Sequence, residues 1–145
     1  MHVLCSVTKE QFATLTDIWE ASVRQTHLFL SEQDIQRLRP RILRDYLPSL
    51  ALRACRDRHG RLQGFIGTSE NRIEMLFVAP EYRGTGVGSA LLNYAINTLK
   101  ATDVDVNEQN PQAKGFYEHH GFRTIGRSEQ DGLGNHFPLL HMSLN

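Results

Sequence analysis

The run Leu76-Phe77-Val78-Ala79-Pro80-Glu81-Tyr82-Arg83-Gly84-Thr85-Gly86-Val87-Gly88-Ser89-Ala90-Leu91-Leu92 carries the most informative chemistry in the chain. Its apolar start reads as a buried strand, Pro80 turns the chain, and a glycine-rich loop leads straight into a helical pattern. A helix that begins this way aims several N–H groups without intrahelical acceptors, and its positive dipole end, at one point. Such a point is an anion site, and phosphate is its natural occupant. Gly84, Gly86 and Gly88 lack a Cβ, so an oxygen can approach the backbone closely. A P-loop would need a Lys after these glycines, and none is there. The dinucleotide fingerprint G-x-G-x-x-G fails at its third glycine, where Ser89 stands. What remains is Arg83-x-x-Gly86-x-Gly88.

That spacing resembles the pyrophosphate-binding motif of the GCN5-related N-acetyltransferases, which bind acetyl-coenzyme A. A second stretch resembles the same family's later motif: Asn107-Glu108-Gln109-Asn110-Pro111-Gln112-Ala113-Lys114-Gly115-Phe116-Tyr117-Glu118-His119-His120-Gly121-Phe122. In it an Asn ends the fifth strand, a helix follows, and a Phe-Tyr pair precedes Gly-Phe. The resemblance is most specific over Ile73–Gly88 and Asn107–Arg127, and the whole order of elements fits it. Trp19 through Leu30, Gly126-Arg127-Ser128-Glu129 and Pro138-Leu139-Leu140 resemble a subgroup, the small bacterial YjaB-type acetyltransferases.

The resemblance implies acetyl-CoA as co-substrate, no metal, and one N-acetyltransferase domain over residues 1–145. It implies an α/β fold, with a mixed, mostly antiparallel sheet splayed between strands 4 and 5 and helices on both faces. Carried over by position, it places backbone groups of Leu76 and Val78, with Phe77 between them, against the pantetheine arm like an added strand. The N–H groups of Arg83, Gly84, Thr85, Gly86, Val87, Gly88 and Ser89 would hold the pyrophosphate. Asn107 and Asn110 would contact the arm near the thioester. Tyr117 would bound the cofactor and protonate the departing thiolate.

An amine acceptor must lose its proton before it attacks. A free lysine of pKa ~10.4 is about 0.1% neutral near pH 7.4, a cost on the order of 4 kcal/mol. A base or a proton-relaying water is therefore expected beside the acceptor. Glu74 is the first candidate, because strict alternation puts it on one face with Leu76 and Val78, opposite Ile73, Met75 and Phe77. His27 is the second, since the loop between the first two helices borders the acceptor site in the resembled family. His119 and His120 close a helix, where a cation suits the dipole, and are not expected to act in catalysis. No Cys/His/Asp cluster has metal-ligand spacing, and no Ser/His/Asp arrangement stands out.

These residues need elements to position them. Val3 to Val7 reads as a strand, and Thr8-Lys9-Glu10-Gln11 as a capping box opening a helix lined by Phe12, Leu15, Trp19 and Val23. Ser31 caps a second helix bearing Ile35, Leu38 and Ile42, which Pro40 should kink or split. Leu50–Arg56, Gln63–Ser69 and Arg72–Val78 read as an antiparallel meander. Val87–Leu99 returns to helix, Val104–Asn107 to strand, and Asn110-Pro111 is a strong helix start. Gly121 is placed to end that helix in the left-handed region, and Phe122–Arg127 and Pro138–Ser143 can pair as a closing hairpin.

Composition sets the outer bounds. A chain of 145 residues, 40% hydrophobic and 22% charged, is one globular domain by expectation. Sixteen Lys+Arg balance sixteen Asp+Glu, which argues against a nucleic-acid backbone or an anionic membrane as partner. No apolar run approaches a membrane span, and the start lacks the regions of a signal peptide. Cys5 and Cys55 make no disulfide scaffold and read as small buried hydrophobes. The expectation is a cytoplasmic enzyme, monomer or homodimer, moving acetyl to a protein lysine or a small-molecule amine by direct attack in a ternary complex. Two alternatives stand beside it. An idle coenzyme A-binding module would not need Tyr117, and a toxin acetylating aminoacyl-tRNA would need a basic face.

Overall fold

A computed structural model describes residues 3–131 and 136–145. The Met1-His2 start of the chain, and residues 132–135 between the last two strands, lie outside the described residues. Strand β1 (Val3–Ser6) leads through a short turn, with the Thr8–Gln11 capping box formed, into α1 (Phe12–Thr26). Helix α2 (Glu32–Arg41) starts at Ser31, whose hydroxyl accepts the Asp34 N–H while Asp34 accepts the Ser31 N–H. Pro40 does not split α2 at its own position. The helix runs one residue further and then widens into a π-type turn over Ile42–Tyr46, followed by a tight turn over Leu47–Ser49. The lost proline donor is thus absorbed near the end of the helix, where few bonds depend on it.

The meander follows as β2 (Ala51–Arg56), β3 (Leu62–Ser69) and β4 (Arg72–Val78), and then α3 (Val87–Asn97). Helix α3 ends two residues before the pattern suggests. Lys100 takes φ +60° and the Ala101 N–H returns to the Ala95 carbonyl, a helix-ending bond that uses a non-glycine residue. Strand β5 (Asp103–Asn107), α4 (Pro111–His119), β6 (Arg123–Ser128) and β7 (Leu139–Ser143) complete the chain, with Gly121 at φ +95° after α4.

The seven strands form one mixed sheet in the order β1-β2-β3-β4-β5-β7-β6. Every pairing is antiparallel except β4–β5, which is parallel and covers only Arg72–Asp103 and Ile73–Val104. The closing strands swap sequence order in space, so β7 lies between β5 and β6. On one face α1 and α2 bury Leu15, Trp19, Val23 and Ile35 against Ala54, Phe65 and Met75. On the other, α3 and α4 bury Val87, Leu91, Leu92 and Tyr117 against Cys55, Ile66, Ile73 and Val104. Cys55 is fully buried as expected, whereas Cys5 is only half-buried, and both are free thiols.

One register detail changes the reading of β4. Gly67 pairs with Met75 but the next residue, Thr68, pairs with Ile73, so Glu74 is the extra residue of a β-bulge. Alternation is broken there. Ile73 packs on the α3 face with Leu76 and Val78, while Met75 and Phe77 pack on the α1 face. The expected grouping of Ile73 with Met75 and Phe77 is therefore corrected, and Glu74 sits at the crossover.

Two glycines give predictions of opposite sign. A Cβ at Gly64 would lie 2.8 Å from the Phe77 carbonyl oxygen and 3.2 Å from Val78 Cα, both backbone atoms of β4. Gly64→Ala is expected to destabilise the fold by about 1–3 kcal/mol. A Cβ at Gly115, inside α4, meets nothing within 4 Å, and Gly115→Ala is expected to stabilise by roughly 0.5–1 kcal/mol. Urea unfolding midpoints of the two variants on either side of wild type would bear this out; the same sign for both would refute it.

Candidate functional site

The short β4–β5 pairing leaves a gap between the two strands beyond Ile73. The Ala79 N–H donates to the Gln63 carbonyl on β3 at 2.9 Å. Backbone groups alternate in direction along a strand, so the N–H and C=O of Leu76 and Val78 face the gap instead. Among the described residues no strand pairs with them on this side, and they form an open strand edge.

Beyond Val78, Pro80–Tyr82 makes a single tight turn. The loop after it folds on itself: the Arg83 N–H donates to Pro80 and the Thr85 N–H to Tyr82. These two donors, expected among the phosphate ligands, are taken up by the loop's own geometry. Gly84 at φ +76° and Gly86 at φ +92° adopt the left-handed region that such a tight entry demands. Gly86 caps α3 without a side chain, so the first N–H groups of the helix open onto the gap rather than onto a capping oxygen. Arg83 is exposed and its guanidinium donates to Gln112 Oε1 at 2.5 Å, linking the loop to the first turn of α4.

On the far wall, Asn107 Oδ1 accepts the Gln109 N–H, and Asn110 Oδ1 accepts the Ala113 N–H as the cap of α4. Each asparagine thus spends its carbonyl locally and keeps its amide NH2 for the gap. Tyr117 is 7% exposed, and among the described residues nothing hydrogen-bonds its hydroxyl. Burial pushes this phenol well above its ordinary value, so it stays protonated. Within the Phe-Tyr pair the tyrosine is the buried member, and Phe116 is half-buried. Phe116 packs near Gly88, where a Cβ would touch its ring at 3.5 Å.

These features share one cleft of about 420 Å³. Leu76, Phe77, Val78, Arg83, Gly84, Gly86, Gly88, Ser89, Asn107, Asn110 and Tyr117 all line it, and so do Glu74 and His27. Thr85 and Val87 do not line it. The Thr85 hydroxyl turns back to the Tyr82 carbonyl, and the Val87 side chain is buried in the core.

Glu74 lies where this cleft meets a second cavity of about 580 Å³, lined by Trp19, Tyr46, Leu50, Met75 and Phe77 among others. Partial burial raises its carboxyl above the usual range, Arg72 opposes that rise, and Asp105 adds to it. His27 caps the end of α1 with Nδ1 2.7 Å from the Thr26 hydroxyl, and burial lowers its ring to about 4. It is neutral at ordinary pH, and a group so depressed is a weak base.

The spacing in sequence gave no hint of a further chain of side chains. His141 Nδ1 lies 2.6 Å from Asp105 Oδ1, and His141 Nε2 lies 2.6 Å from Ser128 Oγ. The Ser/His/Asp arrangement that the sequence did not reveal is therefore present, assembled by the β5–β7–β6 register. Among the described residues no group of three or more His, Cys, Asp and Glu side chains is placed to hold a metal ion.

Comparison with known proteins gives this geometry its context. Residues 10–145 match the model of the acetyltransferase (GNAT) domain. The chain belongs to the GNAT acetyltransferase family. It is 38% identical over 134 residues to the peptidyl-lysine N-acetyltransferase YjaB of Escherichia coli, covering 92% of this chain and 90% of the relative. The solution structure of apo-form YjaB superposes with a TM-score of 0.90 at 35% identity, over 99% of this chain and 97% of that one. A PaiA N-acetyltransferase from Thermoplasma acidophilum, solved with coenzyme A, shares the fold at a TM-score of 0.78 and 20% identity, over 99% and 98% of the two chains. The GNAT fold expected from the sequence, with its open seam between β4 and β5, is the fold observed. Like the family, this chain is an N-acetyltransferase that uses acetyl-CoA. The residues present suit that co-substrate: an unpaired strand edge, an uncapped helix start, and an unpartnered buried phenol in one cleft.

The depressed His27 ring yields a pH prediction. Between its ordinary value of 6.5 and about 4, the unfolded chain binds a proton at His27 that the folded chain does not. Stability is fully present above 6.5 and is lost as pH falls toward 4, by up to about 3 kcal/mol. In His27→Phe the unfolding free energy should lose that part of its acid dependence. Parallel stability–pH curves for variant and wild type would contradict the assignment.

Proposed function

We propose that this N-acetyltransferase acetylates lysine side chains of proteins, by direct attack of the amine in a ternary complex. The single observation that carries the reading is the junction at Glu74, where the cofactor cleft meets a second, largely apolar cavity. A lysine has an apolar four-carbon stem ending in an ammonium, and the apolar walls and terminal carboxylate complement those two parts. The similarity to a peptidyl-lysine N-acetyltransferase over nearly the whole chain supports the same class of acceptor. Phe29, from the α1–α2 loop expected to border the acceptor, packs on Phe137 ahead of β7 at 5.4 Å between ring centroids.

Acetyl-CoA supplies an acetyl thioester activated toward amines. In this reading the backbone edge of Leu76 and Val78 holds its arm, and the backbone at Gly84, Gly86, Gly88 and Ser89, around the start of α3, holds its phosphates. The amide groups of Asn107 and Asn110 orient the arm. Glu74 binds the acceptor ammonium and takes a proton from it. A carboxyl raised by burial is better matched to this task than an ordinary one, and better than the depressed His27. Tyr117 donates its phenolic hydrogen bond toward the sulfur as negative charge gathers there.

Release of free thiol from acetyl-CoA, followed over lysine peptides, N-terminal peptides, polyamines and small amines, tests the acceptor class. Lysine peptides should turn over fastest, and activity confined to polyamines or small amines would overturn the proposal. Tyr117→Phe removes one oxygen, so acetyl-CoA affinity should hold while turnover drops by about 10²–10⁴-fold. Near-wild-type turnover on the best acceptor would remove Tyr117 from the mechanism. Glu74→Gln should slow the reaction most at the acid end of its working range, where neutral amine is scarcest. An unchanged pH–rate profile would demote Glu74 to a structural carboxylate.

A further inference from the structure

Arg72 stands between two carboxylates. Its Nη1 lies 2.5 Å from Asp105 Oδ2, whereas its Nε lies 3.7 Å from Glu74 Oε1. The pairing is unequal although Glu74 is only two residues away on the same strand. The cause lies on the other side of the gap. Asp105 is the register partner of His141, and the ring Nδ1 holds its second oxygen at 2.6 Å. The Asp105 carboxylate can only accept, so the ring Nδ1 carries a proton and points it at Asp105, while Nε2 is held by the Ser128 hydroxyl. Gly126 faces His141 across the β6–β7 ladder without a side chain, so the ring can span toward Ser128. Asp105 is thus fixed by one neighbour and presents its free oxygen to Arg72.

We propose that Ser128, His141 and Asp105 are positioning residues that hold Arg72 away from Glu74 and thereby keep Glu74 basic enough to take the acceptor's proton. The inference rests on the reading of Glu74 as the base. An arginine drawn fully onto Glu74 would stabilise its carboxylate and weaken it as a proton acceptor. Asp105 acts in two ways, by occupying the guanidinium and by adding negative charge beside Glu74. The other titratable groups on the cavities that Glu74 joins are Tyr46, Tyr82, Arg83 from the loop before α3, Tyr117 from α4 and His27 at the end of α1, and none of them hydrogen-bonds the Glu74 carboxylate among the described residues.

The test compares charge-removing variants on each side of Arg72, with two readouts. The first is the carboxyl titration of Glu74, followed by carbon-detected NMR on the unliganded protein. The second is the acid limb of kcat/KM for a lysine peptide. Asp105→Asn should move both to lower pH, by about one pH unit. Arg72→Gln should move both to higher pH by a similar amount. His141→Gln, which spares the carboxylate, should shift in the same direction as Asp105→Asn but less, and it serves if Asp105→Asn does not fold. Shifts of the same sign in Asp105→Asn and Arg72→Gln, or none in any folded variant, would overturn the proposal. If the Glu74 titration moves as stated while the kinetic limb stays, the positioning network stands and the reading of Glu74 as base falls.

Discussion

Strands β4 and β5 pair in parallel at two positions, Arg72–Asp103 and Ile73–Val104, and then separate. The bulge at Glu74 follows directly on the last paired residue of β4. A bulge bends its strand and increases the local twist, so β4 leaves β5 at the point where its regular alternation breaks. A backbone edge without partners inside a molecule would normally be costly, because each unpaired group forfeits its hydrogen bonds to water. Here the unpaired groups of Leu76 and Val78 open onto a cleft, where a bound arm can satisfy them. In the proposed reading the irregularity and the binding site are one feature.

That same bulge decides which chemistry lies where. It turns Ile73 to the α3 core and Met75 to the α1 core, leaving Glu74 on the lining of both the cleft and the apolar cavity bounded by Trp19, Ile42 and Tyr46. The two cores then give Tyr117 and Glu74 different surroundings. On the α3–α4 side, Tyr117 is enclosed by Phe116 and Phe122 and remains protonated. On the other side Glu74 stands among partly solvated charges, those of Arg72 and Asp105. Under the proposed roles these are an acid held in a dry core and a base held among charges, a division that one continuous environment could not produce.

Much of the scaffold was legible because its signals are local. The Ser31 and Asn110 caps, the Pro111 start and the Gly121 stop each act within one turn of chain, and each is observed. The loop from Arg83 to Gly88 was legible for the same reason, since glycine types and spacing report directly on backbone conformation. Its finer use was not. Whether Thr85 and Val87 face the cleft depends on how the loop closes on Tyr82 and how α3 seats in the core. The Glu74 bulge could not be read at all, because alternation gives no sign of a register shift that a partner strand imposes. Asp105, His141 and Ser128 are far apart in sequence, and only the placement of β7 between β5 and β6 brings them together.

Amide hydrogen exchange across β4, with and without acetyl-CoA, tests the role of the open seam most directly. In the free protein the Leu76 and Val78 amides should exchange quickly while Met75, Phe77 and Ala79, which face β3, are protected. Saturating acetyl-CoA should slow Leu76 and Val78 and leave the other three unchanged. Protection of Leu76 and Val78 in the free protein, or continued fast exchange at saturation, would contradict the account.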